Sequence, residues 1–109
     1  MPKYLFHGSY TLEGVKGLLK VGGSSRKAHF ETNVGNLGGH VEAFYYAFGG
    51  EDLYAIVDLP DNTSCVALSL AINAGGGFKA STIALLSAEE IDGATKKTPS
   101  VEYRPPGVV

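Results

Sequence analysis

One stretch limits the possible folds more than any other: HVEAFYYAFGGEDLYAIVDLPD, residues 40–61. Two runs rich in aromatic and β-branched residues flank Gly49-Gly50. That pattern predicts a β-hairpin closed by a two-residue primed turn, which needs positive φ. Such a turn sets the register. Phe48 faces Glu51, Tyr46 faces Leu53, Phe44 faces Ala55 and Glu42 faces Val57. The opposite face carries Val41, Ala43, Tyr45 and Ala47 against Asp58, Ile56, Tyr54 and Asp52. Both faces are mostly apolar, whereas a sheet wetted on one side alternates apolar with polar residues. The hairpin therefore needs cover on both sides.

The rest of the chain must supply that cover. At 109 residues it forms one domain, and 44% apolar content allows a small core. The formal net charge is −2, with acids and bases interspersed and no basic stripe, so nucleic acid is not expected as a partner. No apolar run is long enough to span a membrane. Cys65 is the single cysteine, which leaves no internal disulfide and no thiolate metal cluster. The opening MPKYLFHG enters a strand pattern at once and lacks the layout of a signal peptide. The expectation is a cytoplasmic protein.

Residues 3–10, KYLFHGSY, read as a first strand, with Lys3, Leu5, His7 and Ser9 on one face and Tyr4, Phe6, Gly8 and Tyr10 on the other. Thr11 then caps a helix carrying Val15, Leu18 and Leu19. Gly22-Gly23 interrupts it, and Phe30, Val34 and Leu37 resume helical spacing up to Gly38-Gly39. After the hairpin, Pro60 ends the strand and Asp61 or Asn62 caps a helix over 63–74. This helix is apolar nearly all round, which predicts burial nearly all round. Three glycines turn the chain into a fourth strand over 78–86. Ser87 and Glu90 then form a capping box, with Leu86 and Ile91 placed for a hydrophobic staple. From Thr98 the chain is extended and proline-rich. Residues 1–98 read as one domain and 99–109 as an extended tail.

The order βαββαβ predicts an α+β, ferredoxin-like sandwich with a four-stranded antiparallel sheet and helices on one face. The other face would hold Phe44, Tyr46, Phe48, Leu53 and Val57, or their alternates. An apolar patch of that size calls for a partner, and a second copy of the chain is the simplest. The expected partner is the protein itself, as a homodimer or higher homo-oligomer packed through the sheet face.

The segments KYL..GSYT.EGVKGLLK.GG, LGG.VEAFYYAFG, DLYAIVDLPDN, ALSLAINA and AEEID, with the closing YRPPG, resemble the GYD-domain family of small bacterial proteins. That family is similar to the dimeric α/β-barrel superfamily, so the resemblance implies this fold and a dimer. It implies no particular activity. The family takes its name from a Gly-Tyr-Asp motif at the hairpin turn. Here Asp52 matches the aspartate, but Gly50 and Glu51 stand where other residues, tyrosine in particular, are expected.

His7, mid-strand in an aromatic sheet, is the candidate catalytic residue, a general base or a group that orients a substrate. The structural alternative is a core histidine bonded to a neighbour. Tyr45 and Tyr54, opposite one another, join Phe6 as candidate ligand-binding residues lining a pocket between sheet and helices. Core packing is the plainer role for each. No metal site is assigned. His40 and Glu42 project together and could join His7, but His40 begins its strand, where exposed polar residues are ordinary. Arg26, Lys27 and His29 read as a solvated helix face, and Cys65 as an inert small hydrophobe. No phosphate loop, dinucleotide fingerprint, zinc-protease motif or nucleophile elbow is present, and no cofactor is expected. Two functions follow. One is binding of a small apolar or aromatic molecule, extending to monooxygenase-like or isomerase-like chemistry without a cofactor. An oxygenase of this kind needs a substrate that itself reduces oxygen. The other is a non-catalytic assembly or regulatory protein.

Overall fold

The computed structural model describes residues 1–108; Val109, the last residue of the expected tail, lies outside them. The strands are β1 (Lys3–Tyr10), β2 (His40–Tyr46), β3 (Leu53–Asp58) and β4 (Phe78–Leu85). They form one sheet in the order β2-β3-β1-β4, and every neighbouring pair is antiparallel. That is the ferredoxin-like order. Each of its two crossovers places helices on the same face.

Those helices are α1 (Leu12–Val21), α2 (Gly23–Asn36) and α3 (Asn62–Ala74). Thr11 caps α1 through the Gly14 amide. Gly22, at φ +83°, breaks the helical run and makes two helices of it. Asp61 caps α3, its Oδ1 accepting from the Ser64 N–H at 2.8 Å. This bond holds the Asp61 carboxyl below its ordinary range. A fourth helix, α4 (Ala88–Lys97), begins with the capping box foreseen, Ser87 and Glu90 each bonding the other's backbone N–H.

The core lies between sheet and helices. Tyr4, Phe6, Leu53, Ala55 and Val57 point into it from the sheet, Val34 from α2, and Cys65 and Leu68 from α3. Phe6, Leu59, Val34 and Val57 are almost wholly enclosed, and each such side chain contributes on the order of 1.5–3 kcal/mol of transfer free energy. The Tyr4 hydroxyl reaches the Asn62 amide oxygen at 2.6 Å, which satisfies the one polar atom its burial carries inside.

Several expectations need correction. The hairpin does not close in a two-residue turn. Tyr46 pairs with Leu53 as expected, and the Ala47 N–H still reaches the Asp52 carbonyl at 2.8 Å. Residues 48–51 then form an open loop. The cause is tertiary: Asp52 is tied to β1, its N–H donating to Gly8 O at 2.8 Å and its carboxylate accepting from the Tyr10 N–H at 2.9 Å. Those bonds pull the second strand toward β1 and away from a tight turn. Glu42 does not pair with Val57. A bulge between Val41 and Ala43 puts Val41 opposite Val57 and His40 opposite Asp58. The bulge turns Val41 against the core and leaves the polar pair at the strand end.

The assignment of faces also resolves. Phe44, Tyr46, Leu53 and Val57 lie on the helix side, and Phe48 is wholly exposed on the loop. The open face carries the alternates, Tyr45, Tyr54 and Ile56, together with Leu5, His7 and Ile83. Finally, α3 is not buried all round: Val66 and Leu70 on its outer side are exposed.

Candidate functional site

On the helix side, a cavity of about 730 Å³ opens between the sheet, α1–α2 and α3. Its aromatic lining is a chain of edge-to-face and tilted contacts. Phe6 meets Phe30 at 5.9 Å, Phe30 meets Phe44 at 5.6 Å, and Tyr10 meets Phe78 at 4.9 Å between ring centroids. Leu18 and Val21 of α1, and Ala67, Ala71 and Ile72 of α3, complete the apolar wall. These positions exist because α1 and α3 leave a gap over the middle of the sheet. Gly14 of α1 packs against the Gly77 backbone beside β4, so the helix is held close at that end.

The polar groups of the cavity are few and of one kind. Arg26, His29 and Asn33 recur at i, i+3 and i+7 along α2 and line the opening. Among the described residues, Arg26 is the single fully charged side chain in the lining, and no Asp or Glu lines it. Tyr10 stands nearby. Burial and the neighbouring Tyr46 hydroxyl push its phenol well above the ordinary tyrosine range, and the Arg26 charge opposes that shift. Tyr10 therefore stays neutral and able to donate. The Tyr46 hydroxyl itself donates to Gly23 O at 2.9 Å, tying β2 to the start of α2.

A second cluster lies on the open face. His7 Nδ1 is 2.6 Å from Glu51 Oε1, and its ring stacks on Tyr54 at 6.1 Å with the planes 15° apart. The register aligns Tyr45, Tyr54, His7 and Ser81 in one row across the four strands. A carboxylate bonded to Nδ1 orients the imidazole and leaves Nε2 for another partner. Glu51 reaches His7 because the hairpin loop is open; a tight turn would have paired it with Phe48.

The expected site residues therefore separate. Phe6 lines the helix-side cavity, while His7, Tyr45 and Tyr54 share the open face, one sheet thickness away. His40 and Glu42 do not join His7. His40 Nε2 lies 2.9 Å from Asp58 Oδ2, and Lys3 Nζ bridges Glu42 and Asp58 at 2.7 and 2.8 Å. Among the described residues, no cluster of three or more His, Cys, Asp or Glu could hold a metal ion. Arg26 and His29 are lining residues that the sequence reading put on a solvated helix face, and Asn33 is one it did not single out. A signal was there: Phe30, Val34 and Leu37 mark the inward face of α2. Arg26 lies one turn before Phe30, and Asn33 one turn before Leu37.

The family model of the GYD domain matches residues 4–95, which takes in the sheet except Lys3 and most of α4. The chain belongs to the GYD-domain family. No curated protein and no solved structure matches it. Within the matched region of this GYD domain lie both the helix-side cavity and the His7–Glu51 pair. Among its described residues no helix is long and apolar enough to cross a membrane.

Proposed function

We propose that this GYD-domain protein binds a small molecule with an apolar or aromatic body and an acidic head group in the helix-side cavity. The observation that carries the reading is the make-up of the lining. Aromatic and aliphatic side chains form the wall, and Arg26, His29 and Asn33 stand at the opening with no carboxylate among them. The chain as a whole carries more acids than bases, so a lining without acids departs from its average in the direction that favours an anion. A volume of about 730 Å³ is ample for a two- or three-ring molecule.

The test is titration with 2-naphthoate and its neutral methyl ester, followed by calorimetry. One site per chain is expected, with the acid bound more tightly than the ester. Ala71→Phe, which fills the wall, abolishes binding, and Tyr54→Ala, on the open face, leaves it unchanged. Binding that survives Ala71→Phe but is lost in Tyr54→Ala would move the site to the other side of the sheet.

The 2.6 Å contact between His7 and Glu51 favours a second reading, in which His7 is an acid–base residue for a ligand held against Tyr54 and Tyr45 on the open face. In that case His7→Ala abolishes turnover while the melting temperature holds. The same face, with Leu5, Ile56 and Ile83 at its centre, supports the proposal that two copies pair through their sheets. Charge placed at Ile56 then dissociates the dimer. A protein without turnover that depends on this pairing would be an assembly or regulatory component.

A further inference from the structure

The segment after β4 does not belong to its own domain's packing. Every residue from Leu86 to Val108 is exposed. No residue of α4 is buried, and its main contacts are with the short 3-10 turn (Thr98–Ser100) that follows it. The molecule measures 60 × 33 × 22 Å, with a radius of gyration of 17.7 Å. A compact chain of this length would have about 13 Å. The difference is an arm.

This arm carries apolar side chains with nothing to cover them: Leu86, Ile91, Val101 and Tyr103 are 47–71% exposed. It is also ordered beyond what its own length supports. A helix of ten residues is marginal in water, since isolated helices below about 12–15 residues do not hold. The capping box and the charges suited to its ends stabilise α4 locally. They do not replace a packed face.

We infer that the arm docks on a second copy of this chain, across the rim of its open sheet face, and that each copy receives the other's arm. The area argues for this occupant. The open face of four strands of six to eight residues covers roughly 25 by 19 Å at ordinary strand spacings. A footprint of this size lies at the small end for a stable pairing, which buries ~800 Å² of accessible surface per partner. The arm adds apolar surface beside it. It leaves from β4, an edge strand of that face, so a twofold pairing of sheets brings each arm beside the other copy. Its α4 portion and extended tail together span on the order of 40 Å at helical and extended rises, enough to cross a sheet of this width. A second copy provides both surfaces at once, and a twofold contact closes with none left over.

The experiment uses the full chain. Hydrogen exchange of α4 and tail amides is followed across protein concentrations that span the dimer–monomer transition, beside sedimentation equilibrium. The arm amides are expected to be protected in the dimer and to lose protection on dilution. Combining Ile91→Asp with Tyr103→Asp, both at exposed positions, is expected to weaken dimerisation at least 100-fold while the sheet's far-UV signal and naphthoate binding persist. Four results overturn the inference: a monomer at all concentrations, a dimer whose arm exchanges as free chain, an arm protected equally in the monomer, or a double variant that dimerises like the parent. None of them touches the cavity, whose ligand titration stands or falls separately.

Discussion

Gly14 and Gly17 sit one turn apart on α1, and both line the cavity. Helix propensity favours alanine over glycine by about 1 kcal/mol at either position. The structure gives them opposite fates. A Cβ on Gly17 meets nothing within 4 Å, whereas one on Gly14 falls 1.7 Å from the Gly77 carbonyl oxygen and 3.0 Å from the Tyr10 ring. The oxygen is backbone, and the Gly75–Gly77 turn is held against α1. The Thr11 N–H donates to Gly77 O at 3.0 Å and the Thr11 hydroxyl to Gly76 O at 2.7 Å. Relief requires α1 and the turn to separate by more than an ångström. Overpacking of this kind costs about 1–3 kcal/mol, and each weakened hydrogen bond adds about 0.5–1.5 kcal/mol. Set against the gain in propensity, Gly14→Ala is expected to lose about 2 kcal/mol and Gly17→Ala to gain up to ~1 kcal/mol. For a chain of this size that is a fall of about 8 °C and a rise of up to ~4 °C in melting temperature. Urea unfolding followed by circular dichroism measures both, at one fixed protein concentration because association shifts apparent stability. A Gly14→Ala protein as stable as the parent would refute the close α1–turn contact and, with it, the shape given to the cavity.

Alkaline pH should unfold the protein: burial raises the Tyr4 and Tyr10 phenols, and Asp58 with Glu42 raises the Lys3 ammonium. Stability from groups so raised is complete below about pH 10 and lost as pH climbs through the folded values, so melting temperature should fall steeply above pH 10 and much less in Tyr10→Phe. At the acid end the sign reverses, because the Asp61 carboxyl is lowered; its contribution is present above about pH 4 and lost below, and Asp61→Ala should lower the melting temperature at about pH 7 but not at about pH 2. Thr82 Oγ1 is buried with no hydrogen-bond partner among the described residues, so Thr82→Val should raise stability by about 1 kcal/mol in urea melts; a loss would mean that ordered water bonds the hydroxyl. The Cys65 thiol is buried and its pKa raised by that burial, so a thiol reagent should label it only at the rate of unfolding.

What could be read from the sequence was what neighbours in the chain decide. The caps at Thr11 and Ser87 and the alternation of β1 are local and stand where the residues placed them; of the two caps open for α3 the structure takes Asp61, and it makes the interruption at Gly22-Gly23 a full break. The hairpin loop was not local. Gly49-Gly50 has the composition of a tight turn, but two hydrogen bonds from Asp52 to β1 outweigh it, and they join residues 42 or more positions apart. The bulge at Glu42 escaped for a related reason. The regular register would have sent Val41 to the open face beside Asp58, and the core had room for it. The burial of α3 was overestimated because its composition does not say how many neighbours it will have.

The separation of Phe6 from His7 follows from the same geometry. Adjacent residues on a strand face opposite ways, so a chain whose strands are apolar on both sides builds two environments from one sheet. Phe6, Phe44 and Leu53 form the floor under the helices, while Leu5, Tyr54 and Ile56 form the outer surface. The helices satisfy the first face at the level of one chain, and the gap they leave becomes the cavity. Among the described residues no helix covers the second face, and the arm from Leu86 onward stays exposed throughout. If two copies pair as proposed, the unpaired face and the unpacked arm would answer one another, and the aromatic hairpin would serve association as well as the interior.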